Sequence, residues 1–75
     1  METQEIEALI ASALPDARIE VQGEGGKYMV SVIDAGFSGL NAVKRQQSIY
    51  RILNPHIASG AIHAVSMNLK TPDEA

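Results

Sequence analysis

Apolar residues at Ile6, Leu9, Ile10, Ala13 and Leu14 fall at i, i+3, i+4, i+7 and i+8, the spacing of one helix face. This predicts an amphipathic helix over Thr3–Leu14, with Thr3 as its N-cap and Glu5 at the positive end of its dipole. Pro15-Asp16 stops it. From Ala17 to Gln22 apolar and polar residues alternate with period two, the mark of a half-buried strand. A glycine-rich loop over residues 23–27 follows, and Tyr28–Ile33 resumes the strand pattern in β-branched residues. Two strands on either side of a short glycine loop predict an antiparallel hairpin.

After a turn at Asp34–Gly39, the residues Leu40, Val43, Gln47, Tyr50 and Leu53 mark one face of a second helix, widened by Ile49 and Ile52 and capped by Asn41. Asn54-Pro55 reads as a boundary: proline ends one helix and suits the first turn of another. One further turn over His56–Ser59 is expected, with Gly60 just past its end. A last strand runs Ile62–Leu69. The order is αββααβ. A hairpin followed by a helical crossover predicts a three-stranded mixed sheet with helices packed on it, an α+β fold in a single domain over residues 1–75.

Charge sharpens this picture. The 75 residues carry a net charge of −3, but residues 1–34 hold −5 and residues 35–75 hold +2. Lys44, Arg45 and Arg51 on the second helix form the one concentration of positive charge, placed on the face away from the expected core. That is either a phosphate-binding surface or a solvated helix face. Only three aromatic residues, Tyr28, Phe37 and Tyr50, accompany the cations, which gives little support for stacking on single-stranded bases. With no cysteine, neither a disulfide nor a cysteine-ligated metal can brace the chain. Its apolar runs are too short to span a bilayer and no signal peptide is visible, so a cytoplasmic location is expected.

His63 is the residue with the most chemistry to offer. It stands at the start of the last strand, sharing a side with Val65, Met67 and Leu69. Neutral imidazole ligates metals; equally, such a ring can be held by backbone hydrogen bonds. His56, seven residues earlier, matches no metal-binding spacing and is expected to be exposed. Gly36-Phe37-Ser38-Gly39 spells the G-x-x-G that clamps nucleic-acid backbones in KH modules, yet here it joins a strand to a helix rather than two helices. No nucleophile elbow, phosphate loop or carboxylate pair points to an enzyme.

Phe37-Ser38-Gly39, Val43–Tyr50, Ile62–Ser66 and Thr71–Glu74, in this order and across nearly the whole chain, resemble the BolA-like proteins, particularly their small bacterial branch. The resemblance implies an αββααβ fold related to KH domains of the second type. It also implies a non-enzymatic adaptor or regulator. One role seen among such relatives is partnership with a monothiol glutaredoxin around a shared 2Fe-2S iron–sulfur cluster, with no cofactor intrinsic to the chain. The cluster histidine then maps onto His63. The second position, in the hairpin loop, maps to about Lys27, where this branch usually carries histidine. A protonated lysine is a poor ligand. Either the partner supplies more ligands, His63 binds alone, or no cluster is held. The other role is DNA-binding transcriptional regulation, which would rest on Lys44, Arg45 and Arg51.

Overall fold

The computed structural model describes all 75 residues. Its elements are α1 (Thr3–Ala13), β1 (Arg18–Glu24), β2 (Lys27–Ile33), a one-turn 3-10 helix (Ala35–Phe37), α2 (Ala42–Ala58) and β3 (Ala64–Lys70). The sheet has the order β1-β2-β3, antiparallel between β1 and β2 and parallel between β2 and β3. This is the α+β fold with a three-stranded mixed sheet that the pattern predicts.

Alternation on β2 builds the centre. Tyr28, Val30 and Val32 are buried, whereas Met29 between them is 43 % exposed. The inward residues meet Ile6 and Ile10 of α1, Ile49 and Leu53 of α2, Phe37 of the 3-10 turn, and Ile62 ahead of β3. The short turn after β2 therefore has a packing purpose: it drives Phe37 into the core. The Tyr28 hydroxyl passes through the apolar layer to donate a hydrogen bond to the Met1 carbonyl, so its polar tip is satisfied.

Three boundaries and the phase of one helix differ from the pattern. The cap of α1 is Glu2 rather than Thr3; the Glu2 N–H donates to Glu5 Oε1 at 2.8 Å, so Glu5 closes the first turn from inside. The hairpin loop shrinks to Gly25-Gly26, both with positive φ (63° and 82°), and Glu24 pairs directly with Lys27. Two residues of positive φ make the turn whose twist matches the flanking strands, and a Gly-Gly pair adopts it without strain. Asn54-Pro55 does not break the second helix, which runs unbroken from Ala42 to Ala58. Leu53 on one side of Pro55 is buried, and Ile57 on the other packs against the core. With Pro55 in the last turn, its carbonyl still accepts the Ser59 N–H at 3.1 Å, so the expected helix pair is one helix.

The fourth correction concerns the phase of α2. Val43 is 60 % and Tyr50 is 39 % exposed, so the Val43–Gln47–Tyr50 stripe faces outward. The buried side instead runs through Arg45, Ser48, Ile49, Ile52, Leu53, His56 and Ile57. Two polar residues on that face disguise it. Ser48 is accommodated by donating from Oγ to the Arg45 carbonyl at 2.7 Å, and Arg45 by contacts described next.

Candidate functional site

Two surfaces hold the residues singled out by sequence, one at each end of β3. At the C-terminal end, Arg45 is not the free cation its place in a basic segment suggested. Its side chain is 14 % exposed. Nε donates to the Leu40 carbonyl at 2.9 Å and Nη1 to the Leu69 carbonyl at 3.2 Å. The two terminal nitrogens grip the Glu74 carboxylate, Nη1 to Oε1 at 2.6 Å and Nη2 to Oε2 at 3.3 Å. The guanidinium also lies 5.9 Å from the centroid of the Phe37 ring. Glu74 in turn accepts the Thr71 N–H at 2.7 Å and donates its own N–H to the Thr71 carbonyl at 3.1 Å. The Thr71–Glu74 segment is thereby folded onto α2. The hydrogen bonds from Arg45 and then from the Thr71 N–H hold the Glu74 carboxyl well below the usual carboxylate range, at about 2.

Lys44 and Arg51 remain exposed on the outer face of α2 and take part in no ion pair. The Asn41 side chain caps the helix by accepting the Lys44 N–H at 2.9 Å, as its sequence position predicts. Gln47, Val43 and Tyr50 occupy the same outer face. Of the three cations expected to act together, the structure leaves two on that surface.

At the N-terminal end, His63 sits in the segment just before β3 rather than within the strand, and it is exposed. Its backbone is fixed: the His63 N–H donates to the Gly26 carbonyl at 2.7 Å, and the Ala64 N–H reaches the same oxygen at 3.1 Å. The ring makes no hydrogen bond within the chain and rests against buried Gly26. Around it lies a shallow concavity formed by the hairpin turn, Glu24, Tyr28 and the start of α1. Lys27 shares this end of the sheet, pairing with Ala64 next to His63. It lies on the outward side of β2, however, and does not line the concavity.

His56 is half-buried beside α1, near Leu9 and Ser12, and not exposed as expected. Its ring borders a different concavity from that of His63, although Met1 lines both and the Ile62 N–H donates to the His56 carbonyl at 3.1 Å. No three His, Asp or Glu side chains converge on a point that could hold a metal ion. The hairpin end thus offers one imidazole with unoccupied ring nitrogens, the Glu2 and Glu24 carboxylates bordering the same concavity, and no thiolate. That fits a single ligand to a group whose other ligands come from elsewhere, and it does not fit a metal site complete within this chain. No helix is long and apolar enough to cross a membrane. Sequence reasoning missed Gly26, hidden inside what read as a flexible glycine loop; the signal for it was the Gly-Gly pair between two alternating segments.

Comparison with known proteins agrees with this architecture. The model of the family described as BolA-like protein matches residues 2–74. Acid stress protein IbaG of Escherichia coli K12 is 38 % identical over 74 residues, covering 99 % of this chain and 88 % of that protein. Among solved structures, a bolA protein homologue from Coxiella burnetii superposes with a TM-score of 0.85 at 32 % identity, covering 99 % of this chain and 95 % of the other. The BolA domain of SufE1 from Arabidopsis thaliana superposes with a TM-score of 0.86 at 26 % identity, covering 97 % and 94 %.

Proposed function

The chain belongs to the BolA-like family, and on that footing we infer that it is a non-enzymatic adaptor or regulator that meets a monothiol glutaredoxin and contributes His63 to a 2Fe-2S cluster shared with that partner. The observation that carries this reading is the state of His63. Its main chain is locked to the hairpin by two N–H bonds to one carbonyl, while its ring is exposed with no partner in the chain. A structural histidine would bind its ring nitrogens internally; a ligand keeps them for another molecule. Lys27 lies on the outward side of β2 and does not line the concavity, so the partner supplies the remaining ligands. Imidazole in place of a thiolate would raise the cluster's reduction potential. The occurrence of a BolA domain in a protein named SufE1 suits a module that works through association. A cytoplasmic setting is part of the same proposal.

The test is an anaerobic titration of the protein into a cluster-loaded monothiol glutaredoxin, followed by visible absorption and circular dichroism. The wild type changes the cluster spectrum, and His63→Ala abolishes the change. An unaltered spectrum with wild type removes the cluster reading.

The second reading, DNA binding, is favoured by the unpaired Lys44 and Arg51 on one outer helix face, with Arg45 already committed to Glu74. Two phosphate contacts predict a shallow salt dependence, a slope of about −1.8 in log affinity against log salt. Lys44→Ala with Arg51→Ala should flatten that slope while leaving the fold intact. A steep slope that survives the double change would eliminate this face as the contact.

A further inference from the structure

We propose that Gly26 is a positioning residue for His63: the absence of a side chain at this one turn position lets the imidazole fold onto the hairpin and fixes which edge it shows to a partner. The inference rests on the cluster reading above for its purpose, but the positioning itself is a property of the free chain.

The geometry is specific to one glycine of the pair. A Cβ placed on Gly26 would stand 2.2 Å from His63 Cδ2, with Cγ at 3.1 Å and Nε2 at 3.3 Å. The ring therefore occupies the volume a side chain would take, with its Cδ2 edge against the turn. The opposite edge, Nδ1 and Cε1, faces away from Gly26. A Cβ placed on Gly25 meets nothing within 4 Å. Both glycines have positive φ, 63° at Gly25 and 82° at Gly26, so alanine at either position carries the same kind of backbone strain. Only at Gly26 does it also evict the ring.

The atoms in the way belong to an exposed, rotatable side chain, so the collision is relieved by swinging the imidazole out rather than by unfolding the hairpin. The Gly26 carbonyl keeps its two N–H donors, since they come from main chain. What the substitution removes is the ring's resting place. Main-chain anchoring of residue 63 and contact of its ring with residue 26 are two separate restraints, and the second limits the side-chain torsions. A ligand held near its binding geometry loses less freedom on binding, and ordering one freed side chain typically costs up to roughly tenfold in affinity.

The experiment compares wild type, Gly25→Ala and Gly26→Ala. In the free protein, nuclear Overhauser contacts between His63 Hδ2 and the Hα atoms of Gly26 report the ring's seat. They are expected in wild type and in Gly25→Ala, and in Gly26→Ala the His63 ring contacts to residue 26 disappear while the amide spectrum stays folded. Retention of a single fixed ring orientation in Gly26→Ala would overturn the proposal, as would loss of the contact in Gly25→Ala to the same degree. Titrated into cluster-loaded glutaredoxin, Gly25→Ala should match wild type, and Gly26→Ala should bind more weakly, by up to roughly tenfold. If wild type leaves the cluster spectrum unchanged, the cluster reading fails, and the contact measurement still decides the positioning. Should Gly26→Ala fail to fold, Gly26→Ala combined with His63→Ala separates the causes: recovery of folding once the ring is removed supports the collision, and continued failure overturns it.

Discussion

At the C-terminal end of β3, Arg45 spends four of its five side-chain donors inside the molecule, on Leu40, Leu69 and Glu74. At the N-terminal end, His63 spends only its main-chain N–H and keeps its ring free. Both residues stand in conspicuous sequence segments, and both are held firmly. The difference is where the chemistry points. A guanidinium has five donors and no acceptor, and once three chain segments converge on it, withdrawing it would strand two carbonyls and a carboxylate. An exposed imidazole anchored only through its backbone can be taken up by another molecule without any such loss. Charge in a sequence thus says less about function than the number of internal partners the charge has acquired.

The largest expected effect follows from Arg45. Arg45→Ala removes charge-assisted hydrogen bonds to a largely buried centre and should destabilise the fold by about 2 kcal/mol. For a domain of this size that lowers the melting temperature by about 10 °C. Denaturant titration and thermal melting measure it. If the variant melted like wild type, Arg45 would return to the set of surface cations and the contrast with His63 would collapse.

How legible this was in the sequence depended on which residues carried the signal. The strands and α1 were open to inspection because Ile6, Ile10, Val30 and Val32 are apolar residues at regular spacing and are buried. The phase of α2 was not, because two stripes compete on it. Val43 and Tyr50 imitate a core face, while the true face passes through Ser48, whose hydroxyl turns back to the Arg45 carbonyl of its own helix, and Arg45, whose bonds to Leu69 and Glu74 exist only once the chain has folded. The same reason hid the role of Glu74, 29 residues from its partner. Pro55 misled in another way: its cost to a helix is local, and burial of Leu53 together with packing of Ile57 across it outweighs that cost. His63 was singled out as a residue of interest, but its setting before β3 and its seat on Gly26 arise from pairing between distant segments, which no local pattern encodes.

His63 sharpens the comparison from the opposite side. His63→Ala should leave stability within about 0.5 kcal/mol of wild type, since an exposed ring with no internal hydrogen bond contributes little to the fold. The same denaturant titration measures it. A loss of 2 kcal/mol would instead make the ring a structural element of the hairpin, and its candidacy as a ligand would lapse.

The smallest effect is a pH dependence confined to the Arg45 end. Glu74 has its carboxyl held at about 2 in the folded chain against 4.5 ordinarily, chiefly by hydrogen bonding from Arg45 and then by the Thr71 N–H. A depressed carboxylate stabilises the fold wherever it is ionised in both states, so the contribution is complete above pH 4.5 and is lost as pH falls toward 2. Glu74 is half-exposed, its side chain 48 % accessible, and solvent and salt screen the pair, so the gain is small. Glu74→Gln should therefore be slightly less stable than wild type at pH 7, and the gap should close between pH 4.5 and 2. Equal pH profiles for wild type and Glu74→Gln would mean that the carboxylate does not act on Arg45 through its charge, and the tie between the C-terminal turn and α2 would then rest on the neutral contacts alone.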